Sequence, residues 1–162
     1  MPTLRAGKKW RLLGVLGMAV LIAGGCAAGT STTTGQPVTR LTGQQEVPPV
    51  GGNLSGTSDV VITLTRCPTA AAGGGYCPQA FGTITVSGFT PTAAHIHRGK
   101  AGANGPVVLP LTKTGENTFA VPPSTYVTDA DYGAYNDNEL YLNVHSDKNP
   151  NGEVRGQLRP TP

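Results

Sequence analysis

Three histidines are the residues of this chain whose type and spacing could bind a metal ion. One residue separates His95 from His97, and His145 ends the segment Leu140–His145. Both segments have the composition of β-strands, in which side chains two residues apart point to the same face. If the two strands are neighbours, three imidazoles converge, and imidazole is a common ligand of copper and zinc. We therefore predict a candidate copper or zinc site formed by these three histidines.

The same residues also have a structural interpretation without a metal. Histidines on adjacent strands can form hydrogen bonds to backbone or carboxylate groups along a polar seam. Glu46 or Glu153 could complete a metal site or orient an imidazole. They could equally form a buried ion-pair network with Arg155, which lies two residues from Glu153 on the same strand face. The sequence allows both interpretations. It favours the structural one for the histidines, and the structural network for the two glutamates and Arg155.

Catalytic arrangements of other kinds find little support. Ser146 follows His145 directly, so on a strand the two side chains point to opposite faces. No serine or threonine lies in a strand-to-helix elbow of the kind that activates a nucleophile. The nine acids are scattered along the chain, so no carboxylate pair of the glycosidase type stands out. We therefore expect a protein that is not an enzyme.

The N-terminal segment has the pattern of a secretory signal. Four basic residues and no acid occupy the first eleven positions, an apolar run follows over residues 12–22, and small residues precede Cys26. This apolar run is shorter than the roughly 20 residues that a spanning helix needs. The small residues before Cys26 resemble the lipobox of bacterial lipoproteins, whose cysteine is acylated. Ala23 stands where a larger aliphatic residue is usual, so ordinary secretion is the alternative.

We predict that the chain consists of a signal, a tether and one domain. Residues 1–26 are the predicted signal, residues 27–37 a polar, flexible tether, and residues 38–160 one domain. The membrane is the expected partner through a lipid on Cys26, which places the protein at the cell membrane, in the periplasm or on the cell surface. The chain carries a net charge of +3, but beyond the signal eight Lys and Arg face nine Asp and Glu. This balance gives no electrostatic footprint for nucleic acid.

The two remaining cysteines indicate a disulfide. Nine residues, rich in glycine and alanine, separate Cys67 from Cys77. In an exported protein, such a pair is typical of a disulfide-closed hairpin or loop. A two-thiolate metal site is the alternative, but the separation does not fit the compact cysteine pairs of structural zinc sites.

Short β-type runs alternating with turn signals predict an all-β fold. We predict about eight strands and one short helix, Thr128–Tyr135, which begins with capping-type residues. The predicted strands are Val38–Leu41, Asp59–Thr65, Ala80–Ser87, Ala93–Arg98, Val107–Leu111, Thr118–Val121, Leu140–His145 and Val154–Leu158. Runs of this length favour a sandwich or barrel, and we expect an Ig-like Greek-key β-sandwich.

Several blocks of the sequence resemble one known family. They are Leu41–Pro49 (LTGQQEVPP), Ala94–Gly99 (AHIHRG) with Gly102–Val107 (GANGPV), and Leu140–His145 (LYLNVH) with Asn151–Gln157 (NGEVRGQ). Together they are similar to the CHRD (chordin-type) domain family, over roughly residues 38–160. The resemblance implies a β-sandwich module that occurs alone in exported bacterial proteins and in repeats in chordin, an extracellular antagonist of growth factors. It implies no enzymatic reaction, and it does not imply the pairing of Cys67 with Cys77.

Two functions follow as expectations. The first is an exported, membrane-anchored, non-enzymatic binding or scaffold module with an extracellular protein partner. The second is a mononuclear copper or zinc protein for metal handling or redox defence, with the metal on His95, His97 and His145. The strand His95–His97 also looks like a copper-ligating strand of copper/zinc superoxide dismutases. Their two-metal site needs more than the three histidines of this chain. Dismutase chemistry of the two-metal kind is therefore excluded.

Overall fold

The β-rich sequence folds into more strands than its pattern predicts. The computed structural model describes residues 38–68 and 75–160. Within these residues, a short 3-10 turn, Gly43–Gln45, follows the first of eleven strands, and one α-helix precedes the last two. The elements are β1 (Thr39–Thr42), β2 (Ser55–Ser58), β3 (Val61–Arg66), β4 (Tyr76–Phe81), β5 (Thr83–Ser87), β6 (Pro91–Arg98), β7 (Val107–Pro110), β8 (Thr112–Lys113), β9 (Thr118–Ala120), α1 (Asp129–Asn136), β10 (Leu140–Ser146) and β11 (Val154–Gln157).

Nine strands form one antiparallel sheet that nearly closes on itself. Their order is β7-β6-β10-β11-β1-β2-β5-β9-β8, while β3 and β4 form a separate two-stranded sheet. The two edge strands of the large sheet, β7 and β8, are consecutive in the chain and only Leu111 separates them. The N–H of Leu111 donates to the carbonyl of Ala94 in β6, at 2.9 Å. The sheet is therefore barrel-like, and the chain itself joins its two edges.

The predicted all-β class with one short helix is confirmed, but the Ig-like sandwich of about eight strands is not. Most strands belong to one continuous sheet rather than to two packed sheets. Strand β2 was not predicted, because its buried positions are Gly56 and Ser58, which give no apolar alternation. The predicted run Ala80–Ser87 is divided at Gly82, whose φ of 120° interrupts the strand.

The inner face of the large sheet holds the apolar core. Ile96 on β6, Leu142 and Val144 on β10, and Leu41 on β1 are completely buried. Burying a side chain of this size contributes about 1.5–3 kcal/mol. Because side chains alternate along a strand, each of these residues leaves its neighbours in sequence on the outer face. The strands that carry the histidines are thus fixed through their opposite, apolar face.

Helix α1 begins where its sequence predicts. The Thr128 hydroxyl accepts a hydrogen bond from the N–H of Asp131 at 3.1 Å, which satisfies one of the free donors of the first helical turn. The Asp131 carboxylate accepts a further hydrogen bond from the Arg98 guanidinium at the end of β6. Hydrogen bonding to Thr128 and Arg98 outweighs the opposing effect of burial and lowers the pKa of Asp131. This ion pair ties α1 to the strand that carries two of the histidines.

The disulfide between Cys67 and Cys77 is present and closes the β3–β4 hairpin, with the two Cα atoms 5.1 Å apart. The predicted signal segment, residues 1–26, and the tether, residues 27–37, lie outside the described residues. Among the residues that are described, no helix has the length and apolar character needed to cross a membrane.

Candidate metal centre

The three histidines lie on the outer face of the large sheet, on two neighbouring strands. Strands β6 and β10 pair antiparallel, with Asn143 opposite His95 and Tyr141 opposite His97. Side chains directly opposite each other share a face, and His145 follows Asn143 by two residues. Pairing and alternation together place all three imidazoles on one side of the sheet, as the sequence predicts.

The imidazoles are close enough to share one ion. One nitrogen from each of His95, His97 and His145 lies within 4.8 Å of the others. His95 Nδ1 and His145 Nε2 are 2.8 Å apart and form a hydrogen bond. Two nitrogens bound to one tetrahedral ion at about 2.0–2.1 Å lie about 3.3 Å from each other. Small side-chain rotations that open this hydrogen bond would therefore bring the three nitrogens to ligand distance.

Two backbone carbonyls set the hydrogen positions of the rings. His97 Nδ1 lies 3.0 Å from the carbonyl oxygen of Gly105, and His145 Nδ1 lies 3.0 Å from that of Pro150. A carbonyl only accepts hydrogen bonds, so each Nδ1 carries the hydrogen. In the neutral rings, Nε2 of His97 and of His145 therefore keeps a lone pair. A histidine whose other nitrogen donates to a carbonyl in this way is typical of metal ligands.

The outer face also contains buried acceptors that lack a donor. In the part of the chain that the structure describes, three buried side-chain polar atoms have no hydrogen-bond partner, namely His97 Nε2, Asn143 Oδ1 and Glu46 Oε1. His97, Asn143 and Glu46 are all more than nine-tenths buried. A buried acceptor without a donor costs about 1–3 kcal/mol, and a bound cation or a proton would satisfy it.

Comparison with protein families identifies the chain. The family model for the CHRD domain matches residues 38–158. The chain belongs to the CHRD domain family. Comparisons with curated proteins and with solved structures give no significant match. The matched residues contain the whole outer face described above, and CHRD domains are of the extracellular type.

Burial favours the neutral form of the three imidazoles in this CHRD domain. It lowers the pKa of His95, and the neighbouring His97 adds to this effect. It also lowers the pKa of His97, where the hydrogen bond to Gly105 opposes it and the charge of Arg155 reinforces it. The pKa of His145 is lowered by burial and by the other two histidines, against the hydrogen bond to Pro150. Neutral imidazole is the form that binds metal ions.

The two glutamates do not join the histidines. Among the described residues, the cluster of metal-ligating side chains contains His95, His97 and His145 and no carboxylate. Glu153 instead accepts hydrogen bonds from the Ser146 hydroxyl and, at 2.9 Å, from Asn149 Nδ2. Glu46 lies among the buried groups of the same face, beside Glu153 and Arg155.

The expected ion-pair network among Glu46, Glu153 and Arg155 is not formed. In residues 38–68 and 75–160 the ion pairs are Arg98–Asp131 and Lys100–Glu139. The Arg155 guanidinium, in a residue only 1% exposed, has neutral partners. It donates to the Lys100 carbonyl at 2.9 Å and lies 3.4 Å from the centre of the Tyr141 ring. Hydrogen bonds to neutral groups and a cation–π contact thus take the place of ion pairs for Glu153 and Arg155.

Sequence reasoning did not identify Tyr141 and Gly105 as parts of the site. The Tyr141 ring stacks on His97 with a centroid distance of 5.0 Å, and its hydroxyl accepts a hydrogen bond from the Gly105 N–H at 3.1 Å. One signal was available for Tyr141, which precedes His145 by four residues and therefore lies on the same strand face. Nothing in the sequence indicated which carbonyls would reach the histidines.

Proposed function

We propose that this CHRD domain binds one copper or zinc ion through His95, His97 and His145, in an exported protein that serves metal handling or redox defence. One observation carries the proposal. His97 Nε2 is buried, keeps its lone pair and has no partner among the described residues, although two other imidazoles lie within 4.8 Å. A metal ion at this point would supply the missing partner.

The choice of metal follows from the donor atoms. Three neutral imidazoles suit copper and zinc, whereas calcium and magnesium prefer oxygen ligands. Three protein ligands also leave a coordination position for water or another ligand. No carboxylate in the described residues joins the cluster, so this part of the chain offers nitrogen donors.

The site is prepared for the metal before it binds. His97 and His145 are oriented by the carbonyls of Gly105 and Pro150, and both histidines extend from strands that are buried on their other face. The rings therefore lose little conformational entropy on binding. Binding must break the hydrogen bond between His95 and His145, whose net contribution is about 0.5–1.5 kcal/mol.

Metal titration of the purified protein tests the proposal. We expect one equivalent of Cu(II) or Zn(II) to bind and, at 100 times the dissociation constant, to stabilise the fold by about 2.7 kcal/mol. Replacing any one histidine by asparagine should abolish most of this stabilisation. The matched control is Tyr135→Phe, which changes a buried residue outside the cluster. Equal stabilisation of His97→Asn and the unaltered protein would contradict the proposal.

A binding or scaffold role is the second candidate, and exposed apolar side chains on the disulfide-closed hairpin support it. Leu64 on β3 is 46% exposed, and Tyr76 on β4 is 64% exposed. Exposed aromatic and aliphatic side chains are frequent in protein interfaces. A photo-crosslinking residue placed at Tyr76 should give a discrete protein adduct on intact cells. The same residue placed at the exposed Glu116 should not, and adducts at neither position would contradict this role.

A further inference from the structure

We infer that Tyr141 is a positioning residue of the metal centre, which holds the Gly105 peptide and through it the ring of His97. This inference rests on the proposed metal-binding function. Tyr141 itself touches no proposed metal position. In the described residues its side chain contacts the His97 ring, the Gly105 N–H and the Arg155 guanidinium.

The Gly105 residue connects the two side chains. Its N–H donates to the Tyr141 hydroxyl at 3.1 Å, and its carbonyl accepts from His97 Nδ1 at 3.0 Å. The rings of His97 and Tyr141 are also nearly parallel, at 13° and with centroids 5.0 Å apart. Tyr141 therefore acts on His97 in two ways. Its ring stacks on the imidazole, and its hydroxyl fixes Gly105, whose carbonyl accepts the hydrogen bond from His97 Nδ1.

Gly105 packs against the end of β6 with no room for a side chain. A Cβ atom at this position would lie 1.7 Å from the carbonyl oxygen of Arg98, so only glycine fits. The next residue, Pro106, accepts a hydrogen bond from the Arg98 N–H at 3.0 Å. The loop thus returns directly over the end of β6, next to His97. The backbone carbonyl of Gly105 can therefore orient the imidazole, and no side chain from the loop is needed.

Tyr141 is itself fixed from its other side. The Arg155 guanidinium lies 3.4 Å from the centre of its ring and donates to the carbonyl of Lys100 at 2.9 Å. Gln157 on the same strand donates to the carbonyl of Gly99 at 2.8 Å. Side chains of β10 and β11 therefore hold both ends of the 99–106 loop, at Gly99 and Lys100 on one side and at Gly105 on the other.

Removing the Tyr141 hydroxyl should make the orientation of the His97 ring less fixed, while His97 itself stays in place as a metal ligand. In Tyr141→Phe the stacked ring remains, but the Gly105 N–H loses its acceptor and the peptide can rotate. Loss of a partner that orients a metal ligand typically weakens metal affinity by about 10–100-fold. Because the hydroxyl acts on His97 through Gly105, we expect the lower end of that range, about tenfold.

Tyr135→Phe is the matched control. Tyr135 is also 2% exposed, and its hydroxyl also makes a hydrogen bond to the backbone, here by donating to the carbonyl of Arg159 at 3.1 Å. It lies on α1, outside the histidine cluster. Both variants therefore lose one buried tyrosine hydroxyl with one backbone hydrogen bond, so that a general loss of stability affects both equally.

Two measurements on the whole protein separate this inference from the proposed function. The first, on metal-free protein, is the exchange rate of the His97 Nδ1 hydrogen, followed by ¹⁵N NMR. We expect Tyr141→Phe to accelerate it at least tenfold and Tyr135→Phe to leave it unchanged. The second is a Cu(II) competition titration with electron paramagnetic resonance, where only Tyr141→Phe should weaken binding about tenfold and alter the hyperfine coupling.

Each outcome has a defined meaning. Unchanged exchange and unchanged Cu(II) binding in Tyr141→Phe would overturn the inference while leaving the proposed function intact. Accelerated exchange in Tyr141→Phe with neither Cu(II) nor Zn(II) bound by the unaltered protein would overturn the proposed function, and would show that Tyr141 orients His97 in a site that binds neither metal. Equal effects of the two variants would reduce Tyr141 to a general stability role and would also overturn the inference.

Discussion

Glu46 and Asn143 meet directly above the Cα atom of Gly152, where an added Cβ atom would lie 2.6 Å from an oxygen of each side chain. Both side chains are buried, and Glu46 Oε1 and Asn143 Oδ1 have no hydrogen-bond partner among the described residues. The turn between β10 and β11 therefore needs a residue without a side chain, and the pair beside it needs a proton or a donor. Two predictions follow from this arrangement.

The first prediction concerns Gly152. Its φ of 143° is unfavourable for residues with a side chain, and a Cβ would overlap Glu46 and Asn143. We expect Gly152→Ala to lower the free energy of unfolding by about 2–4 kcal/mol. Gly133 is the matched control, since it lies in α1 with nothing within 4 Å of an added Cβ. Gly133→Ala should raise stability by about 0.5–1 kcal/mol, and denaturant unfolding measures both.

The second prediction concerns the pH dependence caused by Glu46. Burial raises the pKa of Glu46 from 4.5 to about 7, against the charge of Arg155 and reinforced by that of Glu153. The folded protein therefore holds a proton that the unfolded chain releases, and stability from this group falls as pH rises from about 4.5 to 7. We expect Glu46→Gln, which cannot ionise and carries an amide donor, to be more stable than the unaltered protein above pH 7, by about 3 kcal/mol.

Unfolding measured between pH 4.5 and 8.5 checks this prediction. The difference between Glu46→Gln and the unaltered protein should be small at the acid end and should grow until about pH 7. Glu116→Gln removes a carboxylate at an exposed position and should produce no such growth. A constant difference across the range would show that folding does not raise the pKa of Glu46.

The part of the site that the sequence predicts correctly depends on strand geometry alone. His95 and His97 had to share a face because strand side chains alternate, and His145 had to join them once β6 and β10 paired. Pairing also placed Asn143 and Tyr141 among them. The contacts that orient the rings come from loops instead, from the carbonyls of Gly105 and Pro150, and backbone carbonyls leave no residue-specific signal in a sequence.

The limits of the fold prediction have a similar physical cause. Alternation identified the strands that bury large apolar side chains, such as β6 with Ile96. It could not show that β7 and β8 form the two edges of one sheet, because that depends on a single residue between them, Leu111. The ion pair expected from the spacing of Glu153 and Arg155 is not formed, for a related reason. Sharing a strand face does not decide which partner a flexible side chain finds.

The third prediction concerns the disulfide. Cys67 and Cys77, ten positions apart, close the β3–β4 hairpin, and on the chain-entropy model a loop of this length gives about 3 kcal/mol of stability. This hairpin forms a two-stranded sheet separate from the sheet that carries the histidines. We expect Cys67→Ser with Cys77→Ser to lower the unfolding free energy by up to this amount while leaving one-equivalent metal binding unchanged. Loss of metal binding in this double variant would show that the hairpin supports the metal centre.

The fourth prediction tests the proposed membrane anchor. The small residues that precede Cys26 and the polar segment 27–37 support acylation of Cys26 followed by a tether. We expect the protein expressed in its host to incorporate a radiolabelled or clickable fatty acid and to fractionate with membranes. Cys26→Ala should abolish the label and release the protein in soluble form, because one residue carries the whole anchor.

Cys67→Ser with Cys77→Ser, which removes the other two cysteines, is the matched control and should keep the label. Label that persists in Cys26→Ala would contradict lipidation at this residue, and a protein exported without label would favour ordinary secretion.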